Sequence, residues 1–187
     1  MAANSFMVPL GTPAPAFDLT AVDGGNVALT DFKGSPATLV VFLSNHCPYV
    51  RHLEAGLGAL AADYGSRLSV VAICSNDSVN YPDDDATHLA EQAARAGFSF
   101  PYLLDDTQEI AKAYRAACTP DFFLYDSGLR LAYRGQFDDS RPGNDIPVTG
   151  SSLRAAIDAL LDGEPVADPQ HPSIGCSIKW KPGNAPV

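Results

Sequence analysis

Two periodicities run along the chain. Thr38–Leu43 (TLVVFL) and Leu68–Ile73 are continuous apolar runs, as expected of strands covered on both faces. After the first run, Val50, Leu53, Leu57, Leu60, Ala61 and Tyr64 recur at helical spacing, and Gly65 follows as a stop signal. A second helix is predicted from Asp83-Asp84-Asp85, whose acids suit a helix start. Its inner face would be Ala86, Leu89, Ala90 and Ala93, and Gly97 would end it. Asp106-Thr107-Gln108-Glu109 has the form of a capping box and opens a short helix to about Ala116. A last helix is read over Ser152 to Leu161, with Leu153, Ile157, Leu160 and Leu161 inward.

Hairpins are predicted at two turns. Asp23-Gly24-Gly25 separates Phe17–Thr20 from Asn26–Leu29, and Asp126-Ser127-Gly128 separates Phe122–Tyr125 from Leu129–Arg134. A short strand near Tyr102–Leu104 completes the set. Buried strands with helical crossovers, followed by an antiparallel pair, imply an α/β class: a central mixed sheet with helices on both faces. Residues 1–163 are read as one domain with an extended entry segment. Residues 164–187 are read as a Pro/Gly-rich C-terminal extension whose prolines argue against a helix or an inner strand.

Composition narrows the function. The chain has 187 residues, 46% hydrophobic and 18% charged, which suits a folded domain with a core of its own. The net charge of -10 repels phosphate backbones, so no nucleic-acid partner is expected. No apolar run approaches the ~20 residues of a membrane span, so no membrane partner is expected. Residues 1–11 lack the pattern of a signal peptide, and a cytoplasmic location is expected. Four Cys in a reducing compartment point to reactive, metal-binding or core thiols rather than staples.

In open α/β sheets, sites lie at the carboxyl ends of parallel strands. There Thr38–Leu43 runs into Ser44-Asn45-His46-Cys47-Pro48, and a helix begins. Pro48 suits the first helical position, which sets Cys47 at or beside the N-cap. A thiolate there meets unpaired N–H groups and the positive end of the dipole, so its pKa should fall and Cys47 should be a nucleophile. His46 and His52 flank it, as tuning groups or as metal ligands together with Cys47. A third and fourth ligand are not evident, and neither a metal nor a cofactor is expected. His88 and His171 read as surface residues.

Together with Cys118-Thr119-Pro120, these features resemble the thioredoxin-like superfamily. Leu10–Phe17 (LGTPAPAF) looks like the start of its redoxin branch, which includes alkyl hydroperoxide reductase and thiol-specific antioxidant relatives. The match is closest to a peroxiredoxin-like subfamily, through Asn45–Val50, Cys118–Phe122, Tyr133–Gln136, Asp139–Pro142 and Gly175–Trp180. The resemblance runs from about Leu10 to Gly183. It implies a thioredoxin-like fold, Cys47 as nucleophile and a cis-Pro at Pro120, with Thr119 and Pro120 forming a groove for substrate.

Departures from the pattern bear on mechanism. Val50 stands where Cys-x-x-Cys would place a second thiol, so a local dithiol cycle is excluded. Ser44 supplies a hydroxyl three residues before Cys47, but Val40 stands where peroxiredoxins have Pro. Arg51, Arg134 and Arg141 are candidates for a peroxide-binding Arg. Resolution of Cys47 then falls first to Cys118, two residues before Pro120, and second to Cys176. Thirteen residues of tail span about 40 Å, so Cys176 has the reach. Cys74 reads as a small strand-end residue, and Trp180 as a possible dock for the tail.

The implied activity is a thiol-dependent oxidoreductase. Its substrate would be a protein or small-molecule disulfide, or a peroxide, and its reductant an external thiol. The alternatives are a peroxiredoxin-type peroxidase and a non-catalytic redox sensor or binding module. The oligomeric state is left open.

Overall fold

A computed structural model describes residues 2–186. Its centre is β4 (Ala37–Phe42), every residue of which is buried. On one side β4 pairs in parallel with β5 (Ser69–Cys74), and β5 pairs in parallel with β6 (Tyr102–Leu104). On the other side β4 pairs antiparallel with β8 (Asp121–Asp126), and β8 with β9 (Leu131–Gly135). The order is therefore β6-β5-β4-β8-β9, a mixed sheet as expected.

Strand residues alternate between faces, so each face builds its own core. Leu39, Val41 and Leu43 pack with α1 (Pro48–Tyr64), α2 (Ala86–Ala96) and α4 (Ser151–Leu161) through Leu57, Leu89 and Ile157. Val40, Phe42, Val71 and Phe123 pack on the opposite face with Tyr114 of α3 (Glu109–Tyr114). Phe17, just before the hairpin of β2 (Asp18–Thr20) and β3 (Asn26–Ala28), joins that second core. Helices α1 and α2 cross closely at Gly58, where a Cβ would come within 2.2 Å of the Ala96 carbonyl.

A second, three-stranded sheet lies beside the first. β10 (Ile174–Ser177) is its central strand, antiparallel to β1 (Ala2–Asn4) on one side and to β7 (Cys118–Thr119) on the other. This corrects the expectation of a tail without an inner strand. The prolines at 172 and 182 bracket the strand instead of interrupting it, so every ladder donor is present. β1 likewise occupies part of the extended entry segment.

Two helix starts differ from expectation. Asp85 alone caps α2, accepting from the His88 amide at 2.9 Å, while Pro82–Asp84 form a single tight turn that buries Asp84. The buried stripe of α2 is Leu89, Gln92 and Ala96, and Ala86, Ala90 and Ala93 are only half-buried. At α3 the N-cap residue is Gln108, not Asp106, and the side chain that satisfies the first-turn amides is that of Asp105. Its carboxylate accepts from the amides of Ile110 and Ala111, because Asp105 ends the β6 segment deeper in the fold. Among the described residues no helix is long and apolar enough to cross a membrane.

Candidate active site

Cys47 is the N-cap residue of α1 and Pro48 its first residue, and the Cys47 side chain is fully buried. The preceding loop is held from below by Asp84. The Asp84 carboxylate accepts from the amides of Asn45 (2.7 Å) and His46 (3.2 Å), from Asn76 Nδ2 (2.8 Å), and pairs with His46 Nδ1 (2.5 Å). Burial pushes this carboxyl up, but the hydrogen bonds from His46 and Asn76 outweigh it and hold it below the usual carboxylate range. The His46 ring stacks on Tyr81, with centroids 5.4 Å apart. Asn45 is further tied to Arg51 and Arg95, and Arg95 makes a two-pronged ion pair with Glu54 of α1.

Opposite Cys47 lies the Thr119–Pro120 peptide bond, which is cis. The Cys47 thiol donates to the Thr119 carbonyl at 3.1 Å. Thr119 Oγ1 reaches Ser44 Oγ at 3.4 Å. The fold thus brings Ser44, Cys47, Thr119 and Pro120 together.

The remaining cysteines part ways. Cys118 shares β7 with Thr119, and successive strand residues face opposite ways. Its buried thiol points to the Pro120 carbonyl at 3.6 Å, and burial, with Asp121 adding, pushes its pKa far up. Cys176 of β10 lies in register with Thr119, whose carbonyl accepts from the Cys47 thiol, so Cys47 and Cys176 are neighbours across β7. Its pKa is pushed up to about 12, first by burial and then by the neighbouring Cys47. Cys176 is half-buried. Cys74 ends β5 away from the pair, its pKa raised by burial and by Asp84.

The tail is pinned on both sides of Cys176. Upstream, Ser173 and Ser5 exchange hydrogen bonds, and Ser173 Oγ donates to the Pro120 carbonyl at 2.7 Å. Downstream, the Ile178 amide bonds the Ala117 carbonyl. The Lys179 carbonyl accepts from the Asp77 amide and Gln108 Nε2, its amide donates to Asn76 Oδ1, and the Lys181 amide donates to Gln108 Oε1. Trp180 is half-buried against the second core, in line with a docking role. Gly175 lies so close to β7 that a Cβ would sit 2.0 Å from the Thr119 carbonyl oxygen.

The basic candidates are engaged elsewhere. Arg51 Nε donates to the Asn45 carbonyl, and buried Arg134 pairs with buried Asp121 and stacks 3.8 Å from the Phe123 ring centroid. Arg141 bonds the carbonyls of Asp138 and Ser140 and Gln136 Oε1, each at 2.6 Å. It borders, with Tyr49, His52, Pro120 and Ile174, a cleft of about 10 Å³. His52 bonds Ser140 Oγ, so neither flanking imidazole is turned to the Cys47 sulfur. Among the described residues no group of three or more His, Cys, Asp or Glu is arranged to hold a metal.

The sequence reading missed Asp84, Asn76 and Gln108. Their signals are weak: one Asp among three in a row, and two amides with no motif. The reach of Cys176 was visible, but its register was not.

Comparison with known proteins follows the same lines. Residues 10–134 match the model of the AhpC/TSA family. A Mycobacterium tuberculosis protein described as a "putative peroxiredoxin" is 28% identical over 106 residues, 57% of this chain. The match spans 63% of that relative's length. A crystal structure of a conserved protein from Geobacillus kaustophilus superposes with a TM-score of 0.95 at 56% identity, covering 98% of both chains. A thioredoxin-family thiol:disulfide interchange protein from Chlorobium tepidum superposes with a TM-score of 0.63 at 18% identity, covering 83% of this chain and 99% of that one. That likeness shows the fold, which is thioredoxin-like.

Proposed function

Since the chain belongs to the AhpC/TSA family, we propose that it is a thiol-dependent oxidoreductase in which Cys47 attacks and Cys176 resolves. The observation that carries this reading is the register of β10, which sets Cys176 opposite Thr119, the residue whose carbonyl accepts from the Cys47 thiol at the start of α1. The Cys47 thiolate attacks one atom of a disulfide or peroxide bond, and the other atom leaves with the electron pair and takes up a proton. The Cys176 thiol then displaces the group left on Cys47. A Cys47–Cys176 disulfide forms, and a thiol or water departs. Two equivalents of an external thiol restore the starting state. The half-buried Cys176 sulfur is the one that reductant reaches first, with buried Cys47 as leaving group.

The neighbours have supporting roles. Thr119 holds the Cys47 sulfur through its carbonyl, and Ser44 supports Thr119. Pro120 brings no N–H to the groove. Cys118, the first choice from sequence, faces the Pro120 carbonyl and is left without a redox step. The need for a thiol pool suits a cytoplasmic setting.

The test is a short pulse of one equivalent of hydrogen peroxide on reduced protein, immediate alkylation and peptide mapping. A Cys47–Cys176 disulfide is expected. Unmodified Cys47, or slow oxidation shared by all four Cys, would overturn the reading. A disulfide that forms once but gives no turnover with added thiol would favour a sensor instead. In the Cys176→Ser variant, Cys47 should stop at the sulfenic acid, whereas Cys118→Ser should turn over like wild type.

A further inference from the structure

Three segments far apart in the chain enclose a groove of about 650 Å³ with no cysteine in its lining. The N-terminal segment brings Phe6, the end of α3 brings Ala111, Lys112 and Arg115, and the tail brings Trp180 and Pro186. That volume is in the range of small-molecule sites, which are mostly apolar with a few placed polar groups. Phe6 is 55% exposed, although burial would stabilise a ring of that size. Trp180 is half-buried.

The charge of the groove runs against that of the chain. The net charge is -10, yet the charged residues in the lining are two cations, Lys112 and Arg115, and no acid. Lys112 is already matched, since its Nζ donates to Glu109 Oε1 at 2.9 Å and to Asn184 Oδ1 at 2.6 Å. Arg115 is not. Among the described residues its guanidinium makes no hydrogen bond or ion pair, and it lies 6.0 Å from the centroid of the Phe6 ring. Its backbone stands at φ 55°, where α3 ends and glycine is the usual residue. A side chain is strained there, so fold stability alone would favour glycine.

We infer that this groove binds a small aromatic monocarboxylate, with its ring against Phe6 and Trp180 and its carboxylate on Arg115. A planar guanidinium offers a carboxylate two parallel N–H donors. One unmatched cation calls for one negative charge. A dianion would bring a second charge, unpaired, into the acidic field of the chain. Two aromatic side chains in the lining favour a flat ligand body. The site stands apart from the redox reading of Cys47. It lies between α3 and the tail that carries Cys176, so a bound ligand ties the two together.

Trp180 is the chain's only tryptophan, so its fluorescence reports on this groove. The full chain is titrated with 3-phenylpropanoate and, separately, with 3-phenylpropanol, which has the same body without the charge. The acid should change the Trp180 emission saturably, and the alcohol should bind about 10-fold more weakly. Arg115→Gly should weaken binding of the acid about 10-fold, yet melt no lower than wild type, because glycine accepts a φ of 55°. Cys47→Ser should bind the acid as wild type does. Equal binding of acid and alcohol, undiminished binding of the acid by Arg115→Gly, or no saturable change with either compound would overturn the inference. A concentration-dependent doubling of mass that the acid does not reverse would also overturn it, and would give the groove to a second copy of the chain. The two wild-type titrations decide the matter even if the variant does not fold.

Discussion

The two sheets are built by different forces. The five-stranded sheet is covered on both faces by apolar side chains, and its central strand has no exposed residue. The three-stranded sheet has almost no core of its own. Its strands have two to four residues, and side-chain amides, hydroxyls and a few backbone bonds pin it to the body. Apolar burial acts on the molecule as a whole, whereas each polar pin acts where it is placed. The site draws on both: Cys47 rides on the first sheet and Cys176 on the second.

The largest expected effect breaks the first sheet. Leu39→Ala opens a cavity in β4 and should destabilise the whole fold by about 2–5 kcal/mol, read as a shift of the denaturation midpoint. Asp84→Asn comes next. It removes the charge that gathers Asn45, His46 and Asn76, and should cost about 1–3 kcal/mol near neutral pH. A carboxyl whose folded pKa is lowered stabilises the fold above its unfolded value, about 4. That contribution is lost as pH falls through the lowered folded value. Thermal melts should therefore show the gap between wild type and Asp84→Asn closing in acid.

Gln108→Ala separates the two sheets. It removes bonds to the carbonyls of Ser75 and Lys179 and to the Lys181 amide. Hydrogen exchange should rise by about 10-fold in residues 174–181 while β4 keeps its protection. Uniform loss of protection would show that the tail and the main sheet unfold as one unit. Cys47→Ser acts more locally still. It removes the neighbouring sulfur that helps raise Cys176, so Cys176 gives up its proton more readily and its alkylation at pH 8 quickens. Burial remains, so the change is modest. His88→Ala removes only an exposed pair with Asp85 and should leave the midpoint unchanged.

The same division of forces marks what could be read from the sequence. Thr38–Leu43, the helix after it and both hairpins announce themselves, because apolar period and turn residues are local signals. The Cys47 turn was legible through Pro48, through the end of a buried strand and through resemblance. Asp84 was not, since Asp83, Asp84 and Asp85 look alike and only the fold decides which one turns inward. Asp105, not Asp106, satisfies the first-turn amides of α3 for the same reason. The pairing of Cys176 with Thr119 joins distant segments and leaves no local trace. Ranking Cys118 first used nearness to Pro120 along the chain, and strand alternation turned that thiol to the other side.

The register of the small sheet also sets a timetable. It pairs residue 2 with residue 176, so β1 must wait for β10. Contacts this far apart close large loops and form late. On the ribosome, β4, α1 and the Thr119 turn are all synthesised before β10 exists. A nascent chain therefore carries its Cys47 thiol beside an open strand edge, and the cover arrives only once residues 174–177 have been made.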